Sequence, residues 1–592
     1  MRTLIRNTLP FLIFLLPLAP TDGSAQGRSN YVRTRTWLSG QHDKIEGCEF
    51  YDALGRPTVA ATNGLSSDGK FSYSLREYTG ENLVSREWLP VTGGETLERP
   101  DAGQVKSGSL AQYADGNAFI DRQYDALSRM TGQVRAGARW KTKGGSKVTY
   151  LTNSAGEVKR FKCGRGESLA PTPAGSYPAG SLRVESVEDE DGNRLTTYTD
   201  AFNRKILERR GSDNDTYFVY DDFGRLCFVL TPEYNRHPDA DKFLYRYTYD
   251  LRGNLTRKRL PGCQAIDYSY DANDRCVSVQ DGELRKKGLY RIILYDKLGR
   301  PVIQGLSTRK PTAAESVPLE FKAGCGGLAG TDYTSPATSS IGAAFKQLEI
   351  VTYYDDYGFK GGTAKNLFAG LTFPNLPAKG EVTGMLVATT NGQTTATVNA
   401  YDNRGLLESV QTRGLDGRTE TTDYIYSYTN KLLVLRQKAS GPKLGNLETV
   451  QENQYDLKTD RLRSSAIRVC VNGKTAGGRK TEYAYDRLGR LSNVSRPITA
   501  PDKGAIAYGY NIQGWLKSME SGSFCEELHY NEGQGKHLYG GNISSMVWRR
   551  KGEAGDRGYK LYYDNLGRLT GSEFSEQAPW SRRRTTIPSD SP

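Results

Sequence analysis

The residues in this chain best suited to chemistry are the tyrosine, aspartate and arginine of a recurring heptapeptide. It appears as YDALGRP from Tyr51, YDDFGRL from Tyr220, YDKLGRP from Tyr295, YDRLGRL from Tyr485 and YDNLGRL from Tyr563. An aspartate can serve as nucleophile or proton donor, an arginine can hold an anion, and paired carboxylates can cleave glycosides. Other chemistry is sparsely signalled. There is no HExxH, GxSxG, P-loop or dinucleotide glycine fingerprint. The histidines are His42, His237, His529 and His537. His529 lies four residues after Cys525 in CEELHY, a spacing that would suit a dyad or half a metal site on a helix. The stretch has strand character, and in a strand residues four apart lie ~13 Å from each other. The expectation is therefore no catalytic residues, no metal and no cofactor.

The elements that would position these groups explain the heptapeptide better than catalysis does. Aromatics at period two lead into it, as in YRYTYD (245–250) and YAYD (483–486), and this is strand patterning. Aspartate at the first turn position and glycine three residues on suit a type I turn ending at positive φ, the three-residue hairpin loop with a G1 bulge. The carboxylate accepts the free N–H groups inside the turn. Imperfect copies test this. Where glycine is lost, Ser128, Asn203 or Asp274 replaces it, and Asn and Asp are the residues that best tolerate a left-handed backbone. Serine is the weakest fit of the three.

The repeat therefore predicts structural quartets rather than an active site: Tyr51, Asp52, Gly55 and Arg56; Tyr220, Asp221, Gly224 and Arg225; Tyr295, Asp296, Gly299 and Arg300; Tyr485, Asp486, Gly489 and Arg490; Tyr563, Asp564, Gly567 and Arg568. In each, Asp faces Arg across the turn and Tyr faces the residue after Arg, so Tyr51 faces Pro57 and Tyr220 faces Leu226. Tyr–Leu pairs fall on one sheet face and Asp–Arg pairs on the other. Further copies begin at Tyr124, Tyr198, Tyr249, Tyr270, Tyr354, Tyr401 and Tyr455, with the variant YNIQGWL at Tyr510 and a degenerate YSYTNKLL at Tyr426. One hairpin is unstable alone, so units repeating every few tens of residues must stack. The predicted fold is all-β, with repeated hairpins wound into a spiral sheet or open β-shell. The Gly/Pro/Ala/Ser-rich stretches 161–190 and 301–350 predict long loops.

Composition agrees with wet-faced sheets. Apolar residues are 37% and mean hydropathy is −0.62, yet 37 tyrosines and 18 phenylalanines argue against disorder. No long amphipathic helix is apparent. The N-terminus has Arg2 and Arg6, the apolar run LPFLIFLLPLAP (9–20) and small Gly23 and Ala25 before Gln26. This pattern predicts a signal peptide over 1–25, an exported chain in the periplasm, on the cell surface or secreted, and no membrane span after cleavage. The net charge of +13 is barely changed by removing that segment, and the basic clusters are scattered, so no nucleic-acid partner is expected. Eight cysteines contain no CxxC pair. Cys263 and Cys276 lie too far apart in the hairpin register for a disulfide, and the cysteines read mostly as small buried apolar residues.

The repeat resembles the YD repeat of RHS (rearrangement hotspot) proteins, related to those of teneurins and of the shell component of insecticidal toxin complexes. The segments NYVRTRTWLSGQ…EFYDALGRPTVAAT (30–62) and YNIQGWLKSME…GYKLYYDNLGRLTG (510–571) resemble secreted RHS proteins of the Bacteroidetes type. The resemblance implies a lead-in region over 26–110, a repeat shell over 111–571 and an irregular tail over 572–592. It also implies a hollow shell around a C-terminal toxin. The sequence departs from that pattern after YYDNLGRLTGSEFSEQ, showing neither core plug nor effector. The expectation is a truncated, non-catalytic shell whose effector polypeptide is encoded separately or lost. The alternative is a surface adhesion module whose exposed Tyr and Arg bind glycans.

Overall fold

A computed structural model describes residues 30–39, 43–63, 70–94, 97, 99–163, 170–237, 242–389, 391–441, 445–496, 504–533, 535–553, 555–564, 567–576 and 583–586. The predicted signal peptide lies outside them. The fold is all-β: among the described residues 37 strands join one sheet, and two small two-stranded sheets sit beside it. Every pairing between strands is antiparallel and links neighbours in the chain, apart from excursions described below. The sheet is open. Among the described residues its first strand, Asn30–Ser39, pairs with Asp43–Tyr51, and its last, Arg583–Thr586, pairs with Leu569–Ser575.

The hairpin register follows the prediction. Tyr51 lies opposite Pro57, Tyr220 opposite Leu226, Tyr295 opposite Pro301, Tyr485 opposite Leu491 and Tyr563 opposite Leu569, each with a bulge just inside the turn. The glycines of the turns stand at φ between 75° and 82°. Ser128, Asn203 and Asp274 occupy the same site at φ 63°, 62° and 60°. The degenerate copy at Tyr426 closes likewise, with Asn430 at φ 61° and Tyr426 opposite Leu432.

Three copies depart from the scheme. At Tyr198 the turn is closed by Asp200, so Thr199 takes the tyrosine slot opposite Lys205, while Tyr198 pairs with Leu207 and is buried in the core. At Tyr455 the loop is one residue longer, because Asp456 pairs with Arg461 rather than with the residue four on. At Tyr354 no tight turn forms: Tyr354 lies opposite Val382, and the residues between fold back over the sheet as two short 3-10 turns, Gly358–Gly361 and Lys365–Phe368. An unpredicted copy starts at Tyr78, where Thr79 takes the aspartate slot and Asn82, at φ 66°, the glycine slot.

Three further expectations are corrected. The stretch 161–190 is not one loop, since it holds the small strand Thr172–Ser176 and Arg183–Glu188 of the main sheet. The stretch 301–350 begins with strand Pro301–Ser307 and contains the helix Thr338–Ala344. The tail holds the strand Arg583–Thr586, whose backbone is templated by the open edge of Leu569–Ser575. The division at residue 110 also falls inside a helix, Ala102–Tyr113, and the sheet runs past it without a break. That helix carries Asp101 as N-cap, accepting from the Gly103 amide at 2.7 Å, and buries Val105 and Tyr113.

The apolar residues gather in three clusters rather than one core. Each forms where an excursion covers a sheet face. Val105 of the helix meets Phe50, Val59, Leu75 and Trp88; Val158 and Leu182 meet Leu207, Val219 and Phe228; Leu328, Phe359 and Phe368 meet Ile303, Val351 and Leu386. From residue 400 to 530 few side chains are fully buried, Val450, Cys470 and Val494 among them. There the sheet is close to a single layer and needs another source of cohesion.

Candidate functional site

That source is the junction between successive hairpins, built from the same Tyr, Asp and Arg. Within a turn, Asp52 Oδ1 accepts from the amides of Leu54 and Arg56 at 2.9 Å, while Oδ2 accepts from Arg56 Nε at 2.7 Å. The same contacts recur at Asp221–Arg225, Asp296–Arg300 and Asp486–Arg490, each with Nε to Oδ2 at 2.7 Å. At Asp564–Arg568 the arginine amide and Nε both reach the carboxylate, at 2.8 and 2.5 Å. The five quartets do not converge on one place. Each stands at its own turn along one edge of the sheet.

The guanidinium so fixed reaches onward rather than staying on its own face. Arg56 lies over the ring of Tyr78 at 4.8 Å, Arg225 over Tyr249 at 5.0 Å, Arg275 over Tyr295 at 4.9 Å, Arg300 over Tyr354 at 4.3 Å and Arg490 over Tyr510 at 4.6 Å. Each of those tyrosines then donates its hydroxyl back to the carbonyl after the arginine. The distances are 2.6 Å to Pro57, 3.0 Å to Leu226, 2.8 Å to Cys276, 3.1 Å to Pro301 and 2.9 Å to Leu491. The tyrosine of one hairpin is thus a staple into the hairpin before it. The expected separation of Tyr–Leu and Asp–Arg onto opposite faces holds for the register but not for the side-chain tips. The clue was present in the constant tyrosine at intervals of 21–30 residues, but its partner is a backbone carbonyl with no residue identity.

This geometry sets the titration of the groups. Backbone and side-chain hydrogen bonds from Arg56 hold Asp52 below the usual carboxylate range. At Asp271, burial pushes upward, but the amide and guanidinium of Arg275 outweigh it and the net shift is down. Burial raises Tyr249, Tyr295 and Tyr510. The aspartates are thus held toward the ionised form and the tyrosines toward the protonated form.

A second kind of contact joins residues some 400 positions apart. Gln513 Nε2 donates to Tyr113 Oη at 2.8 Å, and Tyr539 Oη donates to the Tyr113 carbonyl at 3.3 Å and Asp115 Oδ2 at 3.2 Å. The Tyr113 and Tyr539 rings meet edge to face at 5.8 Å, and Arg139 Nη2 reaches the Tyr563 carbonyl at 3.4 Å. The late hairpins, through Gln513 and Tyr563, therefore touch the connecting segments of the early ones at Tyr113 and Arg139. Parts of the one sheet far apart in the chain are thereby brought into contact. A cleft of about 310 Å³ lies in this seam, lined by Trp140, Arg135, Leu538 and Tyr539 among others. A larger cleft of about 750 Å³ opens between the small sheet (Lys159–Lys162 with Thr172–Ser176) and the hairpin at Asp221, lined by Lys162, Cys163, Tyr177, Arg204 and Tyr220.

No family profile matches the chain. Over 265 residues, 43% of its length, it is 26% identical to double-stranded DNA deaminase toxin A of Burkholderia cenocepacia (strain H111), and the match spans 17% of that protein. Among solved structures it is similar to TcdB2-TccC3-TEV, at 14% identity and a TM-score of 0.33, covering 94% of this chain and 27% of that one. It is likewise similar to TcdB2-TccC3 without its hypervariable C-terminal region, at 13% identity and a TM-score of 0.32, with the same coverage. The chain spans less than a third of the length of each of these proteins.

The remaining chemical candidates are dispersed. Cys525 and His529 lie on one strand, Phe524–His529, as expected; His529 Nδ1 meets Ser545 Oγ at 3.2 Å, and Cys525 Sγ reaches the Arg549 carbonyl at 3.8 Å. Cys263 and Cys276 are not bonded to each other. The cysteines are less buried than expected: Cys48, Cys227 and Cys470 are buried, whereas Cys263 and Cys325 are exposed because they stand in connecting loops. Among the described residues no cluster of His, Cys, Asp and Glu has the form of a metal site, and no helix is long and apolar enough to cross a membrane.

Proposed function

We propose that this protein is a YD-repeat scaffold of the RHS type, a wound β-sheet that encloses or carries a polypeptide and does no chemistry of its own. One observation carries the reading: hairpins some 400 residues apart in the chain meet at the Tyr113–Tyr539 seam. A flat adhesive sheet has no use for such a contact, whereas a wall around a space depends on it. The signal-peptide pattern over 1–25 and the resemblance to secreted RHS proteins support export as the setting. The cargo in this reading is an effector polypeptide.

Solution scattering on the purified chain tests it. A wall around a cavity gives a pair-distance distribution with a depleted centre and a radius of gyration above that of a compact 65.6 kDa protein. A filled or extended particle would overturn the proposal. Glycan-array binding abolished by changing Tyr177 or Arg204 in the larger cleft would favour the adhesion reading instead.

A further inference from the structure

The excursion at residues 153–182 leaves the sheet through a tight neck. Asn153 donates Nδ2 to the Pro178 carbonyl at 2.8 Å and accepts at Oδ1 from the buried Leu182 amide at 2.8 Å. Beyond the neck, Lys159–Lys162 and Thr172–Ser176 form a flap of two strands. Lys159, Phe161 and Lys162 lie opposite Ser176, Pro173 and Thr172, so the second strand carries the extra residue of the bulge, with Gly175 at φ 82°. The first strand is regular. Arg160 and Lys162 therefore share one of its faces and Phe161 takes the other, where it packs edge to face on Tyr217 at 5.2 Å. Among the described residues no strand pairs with the second edge of Lys159–Lys162. The cleft of about 750 Å³ runs along that edge, since residues 159–163 all line it and none of 172–176 does. Its far wall is the hairpin at Asp221, whose strand Asn214–Tyr220 is paired on both sides.

The cleft is cationic and has an apolar mouth. Its charged groups are Lys159, Arg160, Lys162 and Arg204 against Asp221 and Asp222. Arg204 is bound to Asp200 and Asp221 to Arg225, both at 2.7 Å, which leaves three exposed flap cations against one carboxylate. At the mouth stand Phe202 and Phe223, the tips of consecutive turns, 80% and 81% exposed. Neither ring is loose: Arg204 lies 5.1 Å from the centre of Phe202, and Arg225 lies 5.0 Å from that of Phe223. Two neighbouring rings held in place and left in water are the apolar part of a contact surface.

We propose that this cleft binds a short extended polypeptide segment, added to the flap as a third strand, with acidic side chains at alternate positions and an apolar one between them. The open strand edge offers main-chain donors and acceptors in a row, which recognise a peptide backbone and not a sugar. Residues two apart on the added strand fall on the face of Arg160 and Lys162 and pair with them as carboxylates. The residue between them falls on the face of Phe161, and Phe202 and Phe223 receive apolar groups at the mouth. The inference stands apart from the scaffold reading, since it needs only the local geometry.

The test is fluorescence anisotropy of the labelled, C-terminally amidated peptide Ser-Glu-Phe-Glu-Val against the whole purified chain. Saturable binding is expected, and replacing both glutamates of the peptide by glutamine should weaken it about tenfold or more. Arg160→Ser with Lys162→Ser, and separately Phe202→Ser with Phe223→Ser, should each weaken it by about the same factor. Single N-methyl groups placed along the peptide should alternate between strong and weak loss, because a strand presents every second amide to its neighbour. The changes made on the peptide keep the test independent of how the protein variants fold. No saturable binding at millimolar peptide, or equal binding of the glutamine peptide, would overturn the site. A uniform response to N-methylation would overturn strand addition, and tighter binding of a polygalacturonate oligomer than of the peptide would overturn the choice of ligand.

Discussion

If the stapled tyrosine is what holds a single-layer sheet together, removing one hydroxyl should weaken one junction and leave the rest intact. At the junction of Arg225 and Tyr249, the guanidinium bonds Asp221 Oδ2 at 2.7 Å and the Asp250 carbonyl at 2.9 Å, and it lies 5.0 Å from the ring centre. The Tyr249 hydroxyl reaches the Leu226 carbonyl at 3.0 Å. Tyr249→Phe removes that bond alone and should cost about 1 kcal/mol. Arg225→Lys keeps the charge but loses the fork and the stacking. Because the arginine side chain is about a quarter exposed, about 1–2 kcal/mol is expected after screening. Ring and guanidinium touch, so the double variant should fall short of the sum by about 0.5–1 kcal/mol. A chain of this length does not unfold in one step, so amide hydrogen exchange in strands Asn214–Tyr220, Leu226–Leu230 and Leu244–Tyr249 is the suitable measurement. Tyr249→Phe should speed exchange there about fivefold, the equivalent of 1 kcal/mol. Strands Lys474–Tyr485 and Leu491–Ser495 should not change. Tyr428→Phe is the control, since that ring is 97% exposed. Strict additivity, or equal loss of protection at the distant hairpin, would refute the stapling argument.

The turn geometry makes its own forecast. Gly224→Asn should be nearly neutral and Gly224→Val should cost about 1–3 kcal/mol of local stability, read by amide hydrogen exchange in the flanking strands, because Gly224 stands at φ 78° with room for a side chain. Gly489→Ala should be worse than Gly224→Ala despite the same backbone: a Cβ at 489 would lie 2.1 Å from Arg461 Nη2, against 3.6 Å from Arg204 Nη1 at 224. At the seam, Tyr539→Ala should cost about 2–4 kcal/mol of local stability and expose both sides of the seam to limited proteolysis, while the hairpins keep their circular dichroism. Acid should loosen the turns together. Asp52, Asp125, Asp200 and Asp271 all titrate below their unfolded value of 3.8. Their contribution is therefore complete above that pH and is lost as pH falls through the folded values, which a thermal-stability profile from pH 5 to pH 2 would record.

The sequence carried the turns well because a turn is written in consecutive residues. Asp52 and Gly55 suffice to specify one, and Asn203 or Asp274 at the glycine site announces the left-handed backbone. The site was legible only up to the limits of one hairpin. Tyr295 bonds a carbonyl 19 residues earlier that belongs to a cysteine, a leucine or a proline in different repeats, so no residue type marks it. The seam is fainter still, since Gln513 and Tyr539 meet Tyr113 across about 400 residues with no pattern to link them. The helix Ala102–Tyr113 escaped because AGQVKSGSLAQY has no apolar stripe, although Asp101 followed by Gln104 is a capping pattern. The covering excursions escaped because Gly-rich segments such as 324–330 look like loops even where they bury Leu328.

The seam has a consequence for how the chain comes into being. Each hairpin pairs with the one before it, so a strand emerging from a ribosome or an export channel finds its template edge already folded and waiting. Growth of this kind needs no search over distant partners. The seam breaks the rule, because Tyr113 is made some 400 residues before Gln513 and Tyr539. Until they arrive, the early and late hairpins are joined only through the strands between them. Closure is then an event in time as well as a contact in space.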